Sequence, residues 1–117
     1  MTYNNTSDVN GFTVVSGSRI TAAYTGYYNI QYSAQFQKSN ASAATVNVWL
    51  RQNGTDVPWT SGEITIAGSS LSLPSWTFLT KMNAGDYVEF MWTSTDANSQ
   101  IFAGTPGGNI GPQIPSI

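Results

Sequence analysis

The stretch Tyr28-Asn29-Ile30-Gln31-Tyr32-Ser33-Ala34-Gln35-Phe36-Gln37 alternates between apolar or aromatic side chains and polar ones throughout its length. Successive side chains of a β-strand point to opposite faces, so this pattern places the apolar residues on one face and the polar residues on the other. At the helical period the same residues would be scattered around the cylinder. The stretch therefore predicts a half-buried β-strand.

Shorter runs with the same period occur on both sides of this stretch. They cover residues 12–15, 19–22, 45–51, 63–66, 76–82, 87–93 and 99–103. Asn53-Gly54 predicts a tight turn after the third run, and the turn residues 83–86 predict a β-hairpin between runs 76–82 and 87–93. Residues 104–115, rich in Gly and Pro, are expected to form a loop. About eight short strands without a helical stripe predict one all-β domain over residues 1–117, an antiparallel β-sandwich or jelly roll.

The composition argues against several classes of function. Charged residues make up only 9% of the chain and the net charge is −2, whereas soluble domains average about 25% charged residues. Without a basic patch we expect no nucleic-acid partner, and without an apolar run of about 18 residues we expect no membrane span. The polar N-terminus is not expected to be a signal peptide. Cysteine and histidine are both absent, which removes thiolate ligands, the commonest metal ligand and the commonest general base.

The acidic residues do not form a catalytic motif in the sequence. They are Asp8, Asp56, Glu63, Asp86, Glu89 and Asp96, and their spacing selects no pair of the kind that glycoside hydrolysis requires. The serines lack a histidine partner, so no catalytic triad is available. We therefore predict no catalytic residue, no metal site and no cofactor. A calcium site on Asp96 and Asn98 and a glycosidase are the remote alternatives.

Several predicted strands carry large apolar side chains on both faces. Trp49 is opposite in parity to Val48 and Leu50, and Tyr87 and Met91 are opposite to Val88 and Phe90. The outer face of an antiparallel sandwich is usually polar, so this pattern predicts burial of a second face between subunits. The predicted core is Ile30, Phe36, Val48, Leu50, Phe78, Val88 and Phe90. The predicted subunit interface is Tyr32, Trp49, Tyr87 and Met91, although parity alone would place Tyr32 in the core.

Two further aromatic residues suggest a carbohydrate site. Tyr24 and Trp59 lie among polar residues, and an exposed ring there could stack on a glycan while nearby amides form hydrogen bonds with it. The alternative is that both rings close one end of the sandwich or contact a neighbouring subunit.

Four segments together resemble one family. Residues 26–36 begin with Gly26-Tyr27-Tyr28 and then alternate. Residues 84–90 read Ala84-Gly85-Asp86-Tyr87-Val88-Glu89-Phe90, and residues 49–58 read Trp49-Leu50-Arg51-Gln52-Asn53-Gly54-Thr55-Asp56-Val57-Pro58. The chain closes with Pro115-Ser116-Ile117. The first two segments resemble the core strand and the late hairpin of C1q/TNF-like jelly-roll domains. The last two are similar to C1q-like structural domains encoded by tailed phages of aquatic bacteria.

The resemblance implies a ten-stranded jelly roll, a tight homotrimer and no enzymatic activity. It implies a place on the virion surface, as a fibre, a spike or a capsid decoration in contact with other virion proteins. Domains of this type usually have a strand before residue 1 and another after Ile117, so we expect this chain to be part of a longer polypeptide. The alternatives are a carbohydrate-binding receptor module at a fibre tip and a bacterial cell-surface or secreted adhesion domain of C1q type.

Overall fold

A computed structural model of the chain describes residues 1–3 and 10–103. Within these two ranges every regular element is a β-strand, so the predicted all-β class is confirmed. The predicted loop 104–115, the closing segment 115–117 and Asp8 lie outside the described residues. No helix in the described ranges is long and apolar enough to cross a membrane.

The strands are short and follow one another through turns. They are β1 (Phe12–Val15), β2 (Arg19–Ala22), β3 (Gly26–Ser33), β4 (Phe36–Lys38), β5 (Ala44–Gln52), β6 (Thr55–Asp56), β7 (Gly62–Ile66), β8 (Leu71–Ser72), β9 (Ser75–Met82), β10 (Tyr87–Ser94) and β11 (Ser99–Ile101).

The strands form three sheets, and every pairing with an assigned register is antiparallel. The largest sheet has the order β1-β2-β10-β5-β6, and β7 also pairs with β5. Its register places Val14 opposite Ile20, Ile20 opposite Val88, and Arg51 opposite Asp56. A second sheet has the order β11-β4-β8, and the third consists of β3 and β9. These sheets are of the kind from which β-sandwiches are built.

The chain divides into two compact units. The first contains Met1–Ile30, Asn47–Gly62 and Thr77–Thr93, and the second contains Gln31–Val46, Glu63–Trp76 and Ser94–Ile117. Each unit has its own buried residues. Those of the first are Ala22, Val48, Leu50, Met82, Val88 and Phe90, and those of the second are Tyr32, Ala34, Phe36, Lys38, Ala44, Val46 and Ile66.

Five of the seven residues predicted for the core are fully buried in these units. They are Phe36, Val48, Leu50, Val88 and Phe90. The other two, Ile30 and Phe78, are half-buried. The rings of Phe78 and Phe90 pack with their centroids 6.0 Å apart.

The predicted strand at residues 28–37 is in fact two strands. β3 ends at Ser33 and β4 begins at Phe36. Between them, the Ala34 N–H donates to Pro74 O at 3.3 Å, and Gln35 O accepts from the Phe102 N–H at 2.8 Å. The backbone changes partner here, since β3 pairs with β9 whereas β4 pairs with β8 and β11. The side-chain alternation continues through the break, so the pattern alone could not reveal it.

The predicted hairpin between residues 76–82 and 87–93 is wrong. The strands themselves exist as β9 and β10, but β9 pairs with β3 and β10 pairs with β2 and β5. The connecting turn is as tight as its composition indicated, because the Asn83 N–H donates to Asp86 Oδ2 at 2.8 Å. The Gly85 N–H also donates to Ala22 O at 2.8 Å. The turn is therefore attached to the end of β2, and it connects two different sheets.

The predicted Asn53-Gly54 turn is confirmed as the hairpin between β5 and β6. Both residues have positive φ values, 50° for Asn53 and 82° for Gly54, as a type I′ turn requires. A side chain at Gly54 would also approach the Tyr87 hydroxyl, which lies 3.6 Å from the position of an added Cβ. That distance is an ordinary van der Waals contact, so it is the positive φ that favours glycine at this position.

Candidate interaction surface

Strands β5 and β10 present different residues on their two faces. Val48 and Leu50 on β5, and Val88 on β10, are buried. Trp49 and Tyr87 alternate with them and are half-buried, so they lie on the opposite face of the six-stranded sheet. Met91 on β10 has the same parity as Tyr87 and is also half-buried. We call this side of the sheet, with Trp49, Tyr87 and Met91, the outer face.

Tyr32, the fourth residue predicted for the subunit interface, has a different environment. Its side chain is only 4% exposed. It stacks on Trp76 within the second unit, with a centroid separation of 5.9 Å and an interplanar angle of 27°. Because its surface is already covered by its own chain, Tyr32 belongs with the core residues and has almost no area left for a neighbouring copy.

Arg19 and Glu89 add charge to the outer face. The Arg19 guanidinium lies 4.6 Å from the centroid of the Tyr87 ring, within the range of a cation–π interaction. Arg19 Nε is 3.8 Å from Glu89 Oε1, and the Ser18 hydroxyl donates to the same oxygen at 2.7 Å. Glu89 is therefore held by one hydrogen bond and one ion pair, and Tyr87 is covered on one side by a cation.

A second ion pair lies at the hairpin beside Trp49. Arg51 Nε donates to Asp56 Oδ1 at 2.6 Å, and this hydrogen bond lowers the pKa of Asp56 and raises that of Arg51. The Trp49 Nε1 atom is buried and makes no hydrogen bond of good geometry. Its N–H group nevertheless points toward Asp56 closely enough to lower the pKa of that carboxyl group, as a smaller effect than that of Arg51. The Asp56 carboxylate thus stays ionised at the edge of the sheet.

Asn53 connects the hairpin to the start of β10. Its side-chain amide donates to Asp86 Oδ1 at 2.8 Å, and its side-chain carbonyl accepts from the Tyr87 N–H at 3.0 Å. The Asn53 N–H donates to Tyr87 O, also at 3.0 Å. The pKa of Asp86 is lowered, first by the backbone N–H of Asn83 and then by Asn53. These bonds fix the backbone from which the Tyr87 side chain extends.

The second unit contains a buried lysine, which the sequence analysis had not singled out. Lys38 is fully buried. Its ammonium group donates to the Ser42 carbonyl oxygen and, at 3.0 Å, to the Ser42 hydroxyl. It also forms an ion pair with Asp96 Oδ2 at 3.0 Å. Lys38 follows the alternating run in register with Phe36, so parity already placed it on the apolar face.

The remote alternative of a calcium site on Asp96 and Asn98 does not fit these contacts. Asp96 Oδ2 accepts from Asn40 Nδ2 at 3.0 Å as well as from Lys38. Asp96 Oδ1 accepts from the backbone N–H of Asn98 at 2.9 Å and from its Nδ2 at 2.8 Å. The carboxylate is surrounded by donors and a cation, which repel a metal ion. No cluster of three metal-ligating side chains occurs in residues 1–3 and 10–103.

Three of the other described carboxylates are each held by polar contacts of their own. Asp56 is bound by Arg51, Asp86 by Asn53 and by the backbone of Asn83, and Glu89 by Ser18 and Arg19. Each of the three is thus engaged by its own donors. Glu63 lies on β7 with an exposed side chain.

The two residues predicted to contact a glycan are both on the surface of the first unit. Tyr24 is 69% exposed and Trp59 is 102% exposed. Tyr24 follows β2 and Trp59 follows β6, and two strands separate β2 from β6 in the sheet. At about 4.8 Å per strand spacing, these two strands are about 14 Å apart. The two rings therefore follow strands that are not neighbours in the sheet.

A buried hydroxyl lies close to Glu89 and makes the stability depend on pH. Tyr3 Oη is buried without a hydrogen-bond partner in the described ranges. Burial, and secondarily the charge of Glu89, raise the pKa of Tyr3 to about 12, from an ordinary value of 10.0. The pKa of Tyr3 is thus higher in the folded chain than in the unfolded chain. The contribution of the protonated hydroxyl to the free energy of unfolding is therefore complete below pH 10, and it is lost as the pH rises toward 12.

We therefore expect Tyr3→Phe to flatten the alkaline part of the stability profile. Between pH 10 and pH 12 the wild-type chain should lose on the order of 2 kcal/mol more unfolding free energy than the variant. At pH 7 the variant should be as stable as the wild type, because it removes an unpaired buried hydroxyl. Urea denaturation at a series of pH values measures both effects. Parallel profiles for the two proteins would contradict the burial of the hydroxyl.

Comparison with known proteins does not assign the chain to a family. No protein-family model matches it, and no curated protein matches it at a significant level. Its function is therefore inferred from its own residues, and the outer face is a surface that carries both large apolar side chains and charged groups.

Proposed function

We propose that this chain is a non-enzymatic structural domain with jelly-roll topology that forms a homotrimer through its outer face. The observation that carries the proposal is the two-sided character of the six-stranded sheet. Val48, Leu50 and Val88 fill its inner side, and the outer side carries Trp49, Tyr87 and Met91 in place of small polar residues. A sheet with one face in water would be polar on that side.

The residue types on the outer face suit a protein interface. Tryptophan, tyrosine and arginine are the side chains that most often dominate binding energy, and methionine is enriched at interfaces. Arg19 has 46% of its side chain exposed while it lies over Tyr87, so a neighbouring copy could contact both groups. Each additional 100 Å² of apolar surface removed from water contributes about 2.5 kcal/mol.

The composition supports a domain that functions within an assembly. Only 9% of the residues are charged, whereas solubility of an isolated domain usually depends on a larger share of charge. Closed cyclic symmetry would bury the same face of every copy without leaving an open end. The choice of three copies and of the virion surface rests on the resemblance of residues 26–36, 49–58 and 84–90 to C1q-like phage structural domains. In that setting the domain would form part of a fibre, a spike or a capsid decoration.

Light scattering coupled to size-exclusion chromatography tests the assembly directly. At micromolar concentration we expect a mass close to three times 12.6 kDa. A mass of 12.6 kDa that persists as the concentration is raised would show that the outer face stays in water, and it would remove the basis of the proposal. Electron microscopy of particles labelled on this chain would then test its place on the virion.

A further inference from the structure

Trp59 combines two features that are costly for a tryptophan. Its side chain is completely exposed, and its backbone has a positive φ of 65°. The other non-glycine residues with positive φ in the described ranges are Ser16 and Asn53, and each precedes a glycine in a hairpin turn. Large side chains rarely adopt this conformation, and strained residues are concentrated at functional sites.

The turn that carries Trp59 is attached firmly to the edge of β5. The Thr60 hydroxyl donates to Val57 O at 2.8 Å and accepts from the Leu50 N–H at 3.1 Å. The Val57 N–H donates to Leu50 O at 2.9 Å. Pro58 precedes Trp59 and restricts the backbone of the turn further. The indole is thus presented to solvent from a preorganised backbone. Less conformational entropy of the protein is therefore lost when a ligand binds.

The surroundings of Trp59 in the chain are polar. The exposed residues next to it are Thr55, Asp56, Pro58 and Ser61. The other large hydrophobic residues that are exposed lie in other segments, namely Val15, Tyr24, Tyr27, Leu71, Leu73 and Leu79. A tryptophan buries at most about 250 Å², whereas a stable protein interface needs about 800 Å² from each partner. One ring whose exposed neighbours in the chain are polar is by itself too small for a protein interface, and it matches a ligand of the size of one ring.

We propose that Trp59 is a stacking platform for a pyranose ring of a carbohydrate. One face of many pyranoses carries only C–H groups, whose slightly positive hydrogens are attracted to the negative π-face of an indole. The rim of the sugar carries hydroxyl groups, which require polar partners. The ion pair of Arg51 and Asp56 offers them, because both side chains remain partly exposed, 30% and 54% respectively.

The position of this ion pair suits a short oligosaccharide. Asp56 precedes Trp59 by three residues, so their Cα atoms are at most about 11 Å apart. The Asp56 carboxylate is ionised, and a carboxylate can accept hydrogen bonds from two adjacent hydroxyls. We assign the indole of Trp59 to stacking and the Arg51–Asp56 pair to hydrogen bonding. This binding role goes beyond the assembly proposed above and does not depend on it.

A glycan array of bacterial surface polysaccharides and common hexose oligosaccharides tests the assignment. We expect the wild-type chain to bind a subset of these probes, and Trp59→Ala to weaken that binding at least tenfold. Trp59→Phe should stay within about threefold of the wild type, because the smaller ring still stacks. Tyr24→Ala is the matched control, since it removes another highly exposed aromatic residue of the same unit, and its binding should be unchanged. Absence of binding by the wild type, or equal binding by Trp59→Ala, would overturn the proposal.

Two further measurements separate this role from a structural one. Trp59→Asn should not lower the denaturation midpoint, because asparagine tolerates positive φ and no packing is lost. A lower midpoint would show that the ring packs on its own chain. The mass of Trp59→Ala in light scattering should equal that of the wild type. A change of mass would make Trp59 a subunit contact and would refute the carbohydrate site, whereas a monomeric wild type that binds glycans would refute the trimer alone.

Discussion

Replacing Asp96 with asparagine is expected to lower the melting temperature by about 10 °C, because it leaves a buried ammonium group without its counter-ion. Lys38 is completely buried, and Asp96 is its carboxylate partner at 3.0 Å. The two hydrogen bonds from Lys38 to Ser42 would remain, but neither neutralises the charge. Differential scanning calorimetry of the variant and the wild type at pH 7 measures the loss.

A double variant distinguishes the loss of the ion pair from a general effect of substitution. Lys38→Met combined with Asp96→Asn removes both charges and keeps an unbranched side chain in the buried position. We expect it to recover a large part of the lost stability, because apolar replacement of a buried pair costs less than breaking it. If Asp96→Asn melts within about 2 °C of the wild type, the ammonium group must reach water in solution.

The same pair predicts an acid dependence. Backbone and side-chain N–H groups of Asn98, together with Asn40 and Lys38, hold the pKa of Asp96 far below its ordinary value of 3.8. Because the pKa of Asp96 is lower in the folded chain than in the unfolded chain, its ionised carboxylate stabilises the fold fully above pH 3.8. This stabilisation is lost as the pH falls below 3.8. The difference in stability between the wild type and Asp96→Asn should therefore shrink below pH 3.8.

Replacing Trp49 with lysine is expected to dissociate the proposed trimer. The substitution removes the largest apolar group of the outer face and places one ammonium group per copy where three copies would meet. We expect the cost of desolvating these charges, added to the lost apolar burial, to exceed the stabilisation from the remaining contacts between copies. Light scattering should show the mass falling to one third, and far-UV circular dichroism should show that the strands persist.

Trp59→Lys provides the matched control for this experiment. It makes the same chemical change at a fully exposed tryptophan that follows β6 and is not part of β5 or β10, so its mass should remain that of the wild type. Met91→Lys, on the neighbouring strand β10, should reproduce the dissociation if Trp49→Lys alone proves unable to fold. A Trp49→Lys chain that folds and keeps the native mass would remove Trp49 from the interface.

The two-residue alternation of apolar side chains predicted which residues of the strands are buried. Phe36, Val48, Leu50, Val88 and Phe90 are buried as expected, because alternation depends only on the geometry of a single extended strand. The same rule explains Lys38, which keeps the parity of Phe36 and is buried with it. The two-residue turn at Asn53 and Gly54 was also predictable, since a positive φ is a local property of those residues.

Partner choice between strands was not predictable in the same way. The turn at residues 83–86 has the composition of a hairpin, yet β9 and β10 lie in different sheets. Gly85 and Asp86 bond to Ala22, which is about sixty residues away in the chain. Likewise, the break at Ala34 and Gln35 depends on Pro74 and Phe102. Hydrogen bonds between distant segments decide pairing, and no local pattern encodes them.

The amino-acid sequence by itself determined the all-β class, the inward and outward faces of the strands and the Asn53-Gly54 turn, because each follows from the conformational preferences of neighbouring residues. Only the tertiary structure decided the division of the strands among three sheets, the Lys38–Asp96 pair and the full exposure of Trp59. These depend on which distant segments meet and on which surface is left uncovered when they have met.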